Sequence, residues 1–194
     1  YLLKDILQLG LVKSPEVIKK FLLLLAHQIG SEVSLSEIAS RLQIARQTAE
    51  KYIELLERTF VIFRLPAFSA NQRKEITKST KIFFWDTGVR NGLLKDFTFS
   101  EYRGDRGRLW ENFIMSEIAK QNLLAGQPNN LYFWRTRDGA EVDLIIKGTD
   151  RFSAYEIKWS MAKTVSVRSF TSKYGIEVQQ IARENAVDFL SGEK

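Results

Sequence analysis

The 194-residue sequence contains no cysteine and a single histidine. The first absence excludes a disulfide scaffold, a thiolate metal site and a cysteine nucleophile, and it suits a reducing, cytoplasmic setting. The second removes most histidine chemistry. His27 sits in Phe-Leu-Leu-Leu-Leu-Ala-His, where a half-buried or helix-end histidine is expected rather than a catalytic one. No apolar run approaches the roughly 20 residues that span a bilayer, and Phe21–Ala26 falls far short, so no membrane partner is expected. The first residues lack the layout of a signal peptide and start inside an amphipathic pattern without an initiator Met, so the chain reads as part of a longer protein.

What is present is ordinary globular material with an uneven charge. The hydrophobic content is 44%, enough for one large domain or two small ones. Residues 1–95 carry 15 Lys and Arg against 9 Asp and Glu, whereas residues 96–194 carry 14 of each, so the net charge of +6 lies wholly in the first half. A basic excess on one module is the electrostatic footprint of a polyanion, with DNA the expected partner.

The first half reads as helices followed by a hairpin. Ser14 is placed to cap a helix with Pro15 at its first position and Gly30 as its stop. Ser34 and Glu37 have the spacing of a capping box that opens a short helix over Leu35–Leu42. A third helix is expected from about Ala45 to Thr59, with Ala49, Ile53, Leu56 and Phe60 along its apolar side. Helix, tight turn, helix is the helix-turn-helix pattern. Phe60–Phe68 and Lys81–Trp85 then read as strands joined by a basic tip, the layout of a wing. A winged helix-turn-helix would present Arg46, Gln47, Thr48 and Lys51 at the start of its third helix, and Arg73, Lys74 and Lys78 in the wing, to DNA. A wing used only for protein contact or spacing is the alternative.

Asp86 to Gly92 is expected to cap a short helix and lead out of the first domain. The domain boundary is placed near residues 95 and 96, giving domains 1–95 and 96–194. Arg103 to Arg108 reads as a glycine-punctuated basic loop whose Arg106 and Arg108 could meet phosphate. A helix follows from Leu109 to Ala125 with Glu111 near its start, then strands at Leu131–Arg135, Ala140–Lys147 and Phe152–Ser160. A helix near Val165–Tyr174 and a strand near Glu177–Ala182 complete the α+β reading.

Two of these strands carry ionisable residues where a fold normally avoids them. If the loop 148–151 turns at its centre, Asp143 lies across from Glu156, and side-chain alternation puts Glu156 and Lys158 on one face, Tyr155 and Ile157 on the other. Facing carboxylates repel unless a cation sits between them, and hard divalent ions take carboxylate oxygens.

Glu111, Asp143 and Glu156-Ile157-Lys158 resemble the motif of the PD-(D/E)XK nuclease superfamily, with Val142 where a proline is usual. The whole chain is similar to the C-terminal region of a family of bacterial and archaeal AAA-type ATPases whose tail carries an uncharacterised domain. That likeness rests on Tyr1-Leu-Leu-Lys-Asp-Ile, Gln47–Glu57, Lys81–Gly88, Gly107–Phe113, and Gly139–Ile146 with Tyr155-Glu-Ile-Lys. The resemblance implies a restriction-endonuclease-like second domain after the winged helix, and an N-terminal ATPase domain in the full-length protein. This chain has no Gly-x-x-x-x-Gly-Lys-Ser/Thr phosphate loop, so it should not bind ATP through that motif. It further implies metal-dependent phosphodiester hydrolysis: Asp143, Glu156 and Glu111 around Mg²⁺ or Mn²⁺, and Lys158 positioning water and steadying the phosphate. The readings from other classes are a non-catalytic DNA-binding or regulatory module on the same fold and a protein-binding tail. The oligomeric state stays open.

Overall fold

The computed structural model describes residues 14–69, 80–126, 128–149, 151–161 and 167–192. It divides the chain into two compact units, Tyr1–Arg64 with Ser79–Tyr102, and Leu65–Lys78 with Arg103–Lys194. Both mix helix and strand, and the described residues form two sheets, an α+β protein. None of the described helices is long and apolar enough to cross a membrane.

In the first unit, helix α1 (Pro15–His27) starts after Ser14 in an extended conformation, and exposed His27 ends it. Gly30 then takes a φ of 68°, the left-handed backbone that glycine adopts most freely. Helix α2 (Leu35–Arg41) is capped by Ser34, whose hydroxyl accepts the Glu37 amide at 3.3 Å. The Glu37 carboxylate pairs with Arg41 one turn on. Residues 42–45 lead into α3 (Arg46–Arg58), where Ala49, Ile53 and Leu56 are buried as their spacing predicts. Phe60 departs from that stripe. The chain turns there with a φ of 53° and leaves the ring exposed beside Trp85.

Strands β1 (Ile62–Pro66) and β2 (Thr80–Phe84) form a two-stranded sheet, and Glu32 adds an antiparallel bridge to Lys81 on β2. Phe21, Leu25, Ile53, Ile62 and Phe84 lie in one apolar core. Helix α4 (Thr87–Leu94) is capped by Asp86, which accepts the Gly88 and Val89 amides. Gly92 lies inside it, and Lys95, with a φ of 55°, ends it. Arg90 is buried and donates to the Ala26 carbonyl at 3.0 Å, satisfying an acceptor at the end of α1.

The second unit contains a four-stranded sheet in the order β3-β4-β5-β6. Helix α5 (Arg106–Leu124) precedes β3 (Asn130–Arg135), β4 (Glu141–Lys147) and β5 (Phe152–Ile157), followed by α6 (Arg168–Tyr174), β6 (Val178–Ile181) and α7 (Ala186–Ser191). β3, β4 and β5 are antiparallel neighbours, and β6 pairs with β5 in parallel. Ala67 bridges Phe133 and so covers part of the β3 edge that would otherwise be unpaired. Phe68, Trp134, Ile145, Ala154 and Phe170 fill the core between one sheet face and α6. On the other face Tyr155 meets Phe189 of α7, and α5 runs against β5.

Two expectations are corrected here. Arg106 to Arg108 do not form a loop. They are the first turn of α5, which begins once the Leu109 amide donates to the Asp105 carbonyl at 3.0 Å, and Gly107 is absorbed into the helix. Arg103, read as part of that basic loop, is buried and makes a two-pronged pair with Asp105, at 2.8 and 3.0 Å.

Candidate functional site

The acidic cluster forms where β4 and β5 stop pairing. Their ladder runs from Lys147 opposite Phe152 to Leu144 opposite Tyr155, and one further step of the same register sets Asp143 against Glu156. On its other side β4 bulges. Tyr132 pairs with Ile145 but Trp134 with Val142, so Asp143 and Leu144 together oppose Phe133. A bulge bends its strand and re-aims a side chain, and bulges are enriched beside active sites.

Here the redirected side chain is Asp143. Its Oδ2 accepts the Ile157 amide at 2.9 Å, standing in for the strand carbonyl that the finished ladder no longer supplies. Asp143 and Glu156 are only 8% and 7% exposed. The Lys158 ammonium stands 2.6 Å from the Glu156 Oε2 and 3.7 Å from the Asp143 Oδ2. The repulsion between facing carboxylates is therefore relieved from within the chain by one ammonium shared between them.

A proton relieves the rest. Burial, followed by the Asp143 charge, raises the Glu156 carboxyl from 4.5 to about 7 against the opposing pull of Lys158. At Lys158 burial acts to lower the pKa, but the charges of Asp143, Glu156 and Glu111 outweigh it and hold the ammonium above its ordinary value. Glu111, in the second turn of α5, thus acts electrostatically on Lys158. Asp143, Glu156 and Lys158 of the expected set come together in contact, and Glu111 reaches them only through its charge.

Whether they suit a divalent ion turns on the donors. The carboxylates offer hard oxygens of the kind Mg²⁺ takes, and Lys158 is half-exposed, so its head can move into solvent. Asp143 and Glu156 fit such an ion as a pair. Among the described residues no group of three His, Asp or Glu stands close enough to form a ready-made metal site. A cavity of about 380 Å³, lined by Asn129, Ile146, Gly148, Thr149, Arg151 and Ser153, lies at the turn of the β4–β5 hairpin. The acidic cluster is at the opposite end.

The residues expected to meet nucleic acid divide differently. Arg46, Gln47 and Lys51 are exposed on the first turns of α3, and Arg46 pairs with Glu50 at 3.3 Å. Arg73, Lys74 and Lys78 lie outside the described residues. Arg108 is exposed in the first turn of α5. Arg106, in the same turn, lies over the Trp159 ring, its guanidinium carbon 4.9 Å from the centroid. Trp159 also receives Arg183 at 5.4 Å and the Trp110 ring edge-on at 5.6 Å. The sequence reading missed Trp159, Arg183 and Trp110. A tryptophan directly after Glu-x-Lys was the available signal.

Two family models match the chain. Residues 106–189 match a domain of unknown function, DUF4143, a domain found at the C-terminus of AAA-ATPase-like proteins. Uncharacterised proteins of Mycobacterium tuberculosis and Mycobacterium bovis are each 32% identical over 184 residues, covering 94% of this chain and 41% of theirs. An uncharacterised protein of Haemophilus influenzae is 22% identical over 164 residues, covering 82% of this chain and 38% of its own. The chain thus spans about two fifths of the length of these curated relatives. No solved structure matches it. Residues 1–100, more than half of the chain, match the domain of unknown function DUF8612, and the chain belongs to the DUF8612 family.

Proposed function

We propose that the second unit is a metal-dependent nuclease of the PD-(D/E)XK type, hydrolysing phosphodiester bonds in DNA, and that the first is a winged helix that binds DNA. One observation carries the catalytic reading. Asp143, Glu156 and Lys158 are drawn together at a strand bulge, two of them buried, at a place where apolar residues would pack at lower electrostatic cost. Perturbed ionisable groups gathered at one end of a sheet are what a catalytic site requires and a scaffold does not.

Mg²⁺ or Mn²⁺ would be held by Asp143 and Glu156 with Glu111, and when bound would acidify a water and offset charge on the phosphate. Lys158 donates hydrogen bonds to the attacking water and to a non-bridging phosphate oxygen, stabilising charge that develops there. Water adds to phosphorus and one bridging P–O bond breaks, leaving a phosphate-bearing end and a hydroxyl end. The water's proton passes to solvent, and the leaving oxygen takes one up from it. For DNA binding, α2, the four-residue turn and α3 supply the helix pair, with Gln47 and Lys51 on the exposed start of α3. An N-terminal ATPase domain is part of the same proposal, in keeping with the family resemblance of the sequence.

The Lys158 bridge between both carboxylates favours one second reading, a non-catalytic DNA-binding or regulatory module in which the cluster is a closed, neutralised ion network. Cleavage of labelled linear, branched and single-stranded DNA with Mg²⁺ and with Mn²⁺ separates the two. Cutting that is lost in both Asp143→Ala and Lys158→Ala supports the nuclease. DNA binding without cutting by the wild type supports the regulatory module.

A further inference from the structure

Beside the acidic cluster lies a second group of charges that the hydrolytic residues do not use. Trp159 follows Lys158 directly, and Trp110, which meets its ring edge-on, directly precedes Glu111. Over the Trp159 ring lie two guanidinium groups, Arg106 from the start of α5 and Arg183 from just beyond β6. Two like charges gathered at one indole repel each other, and each cation–π contact at an exposed site returns only about 0.5–1 kcal/mol.

The fold could have neutralised both arginines and does not. The acid preceding Arg106 is Asp105, whose two oxygens are taken by Arg103. The acid following Arg183 is Glu184, whose Oε2 accepts the Met161 amide at 3.3 Å. Neither Arg106 nor Arg183 has a carboxylate partner among the described residues. A guanidinium that lies over an aromatic ring keeps its edge N–H groups available, and that fork matches the oxygens of a phosphate.

We propose that Arg106 and Arg183, carried on Trp159, form a clamp for the phosphodiester backbone of a nucleic-acid strand, holding a phosphate next to the one that faces Lys158. This assignment rests on the hydrolytic reading for its placement, but its ligand follows from the arginines themselves. Trp159 is a positioning residue, since it acts through the two guanidinium groups.

The test is binding without added metal. Fluorescence anisotropy of labelled single-stranded DNA and RNA oligonucleotides, over a series of salt concentrations, is compared for wild type, Arg106→Gln, Arg183→Gln, the double variant and Trp159→Ala. Each lost phosphate contact on a single strand should reduce the slope of log K against log salt by about 0.7, and each arginine variant should bind roughly tenfold more weakly. Trp159→Ala removes no charge, yet should lower the slope as the double variant does. Arg183 is exposed, so its variant should fold normally, checked by its melting curve.

Unchanged affinity and slope in the double variant would overturn the clamp for both nucleic acids, and a loss confined to DNA or to RNA would name the ligand. The two readings fail separately. Wild type that never cuts, combined with arginine variants that lose binding, sinks hydrolysis and keeps the clamp. A double variant that binds and cuts like wild type sinks the clamp and keeps hydrolysis.

Discussion

The Asp143 carboxylate accepts the backbone amide of Ile157 at 2.9 Å, the residue between Glu156 and Lys158. One side chain therefore finishes the β4–β5 ladder and sets the charge of the cluster. Asp143→Ala removes both roles and leaves a buried N–H without its acceptor, an expected loss of about 1–3 kcal/mol. Asp143→Asn keeps an oxygen facing the amide and removes only the charge. Urea unfolding should rank the variants wild type, Asn, Ala, with Ala below Asn by at least about 1 kcal/mol. Equal stability for the two substitutions would show that the hydrogen bond contributes nothing.

Between α2 and α3, Gln43 adopts a φ of 54°, in a turn of the kind where helix-turn-helix proteins often carry glycine. A side chain with a Cβ is strained there by about 1–2 kcal/mol, and Gln43 is exposed. Gln43→Gly should therefore stabilise the first unit, by roughly 0.5–1 kcal/mol once the added freedom of the unfolded glycine is subtracted. Differential scanning calorimetry gives the sign. A lower melting temperature would mean that the Gln43 side chain contributes more to the turn than its backbone strain removes.

Local rules made most of these elements legible, and failures of the reading fall where partners distant in sequence decide. The alternation of Asp143 to Lys147 and of Phe152 to Glu156, with the turn between them, was enough to predict that Asp143 and Glu156 face each other. Ser34 and Asp86 were readable as caps because their acceptors act within three residues. The bulge at Asp143 was not readable, since it is a property of pairing with Phe133 and Trp134 on another strand. Arg103 read as one arginine of a basic loop. Its burial depends on the packing of the second unit, and its chain neighbours do not reveal it. Phe60 continued the apolar spacing of α3 by one residue, but the left-handed turn there breaks the helical period before that spacing can bury the ring.

The same cluster predicts how stability changes with pH. Burial and the Asp143 charge raise the Glu156 carboxyl from 4.5 to about 7 in the folded chain, so between those values the native state binds a proton that the unfolded chain has released. Stability from this group is complete below about pH 4.5 and is lost as pH rises through 7, by roughly 3 kcal/mol at about 1.36 kcal/mol per unit. Glu156→Gln imitates the protonated form at every pH. Its melting temperature should match wild type near pH 5 and exceed it by several degrees at pH 8. A divalent cation competes for the same oxygens, so Mg²⁺ should raise the wild-type melting temperature more at pH 8 than at pH 6, and should do nothing comparable to Glu156→Gln. Melting curves that stay parallel from pH 5 to 8 would mean that Glu156 is ionised throughout, with Lys158 fully compensating its burial.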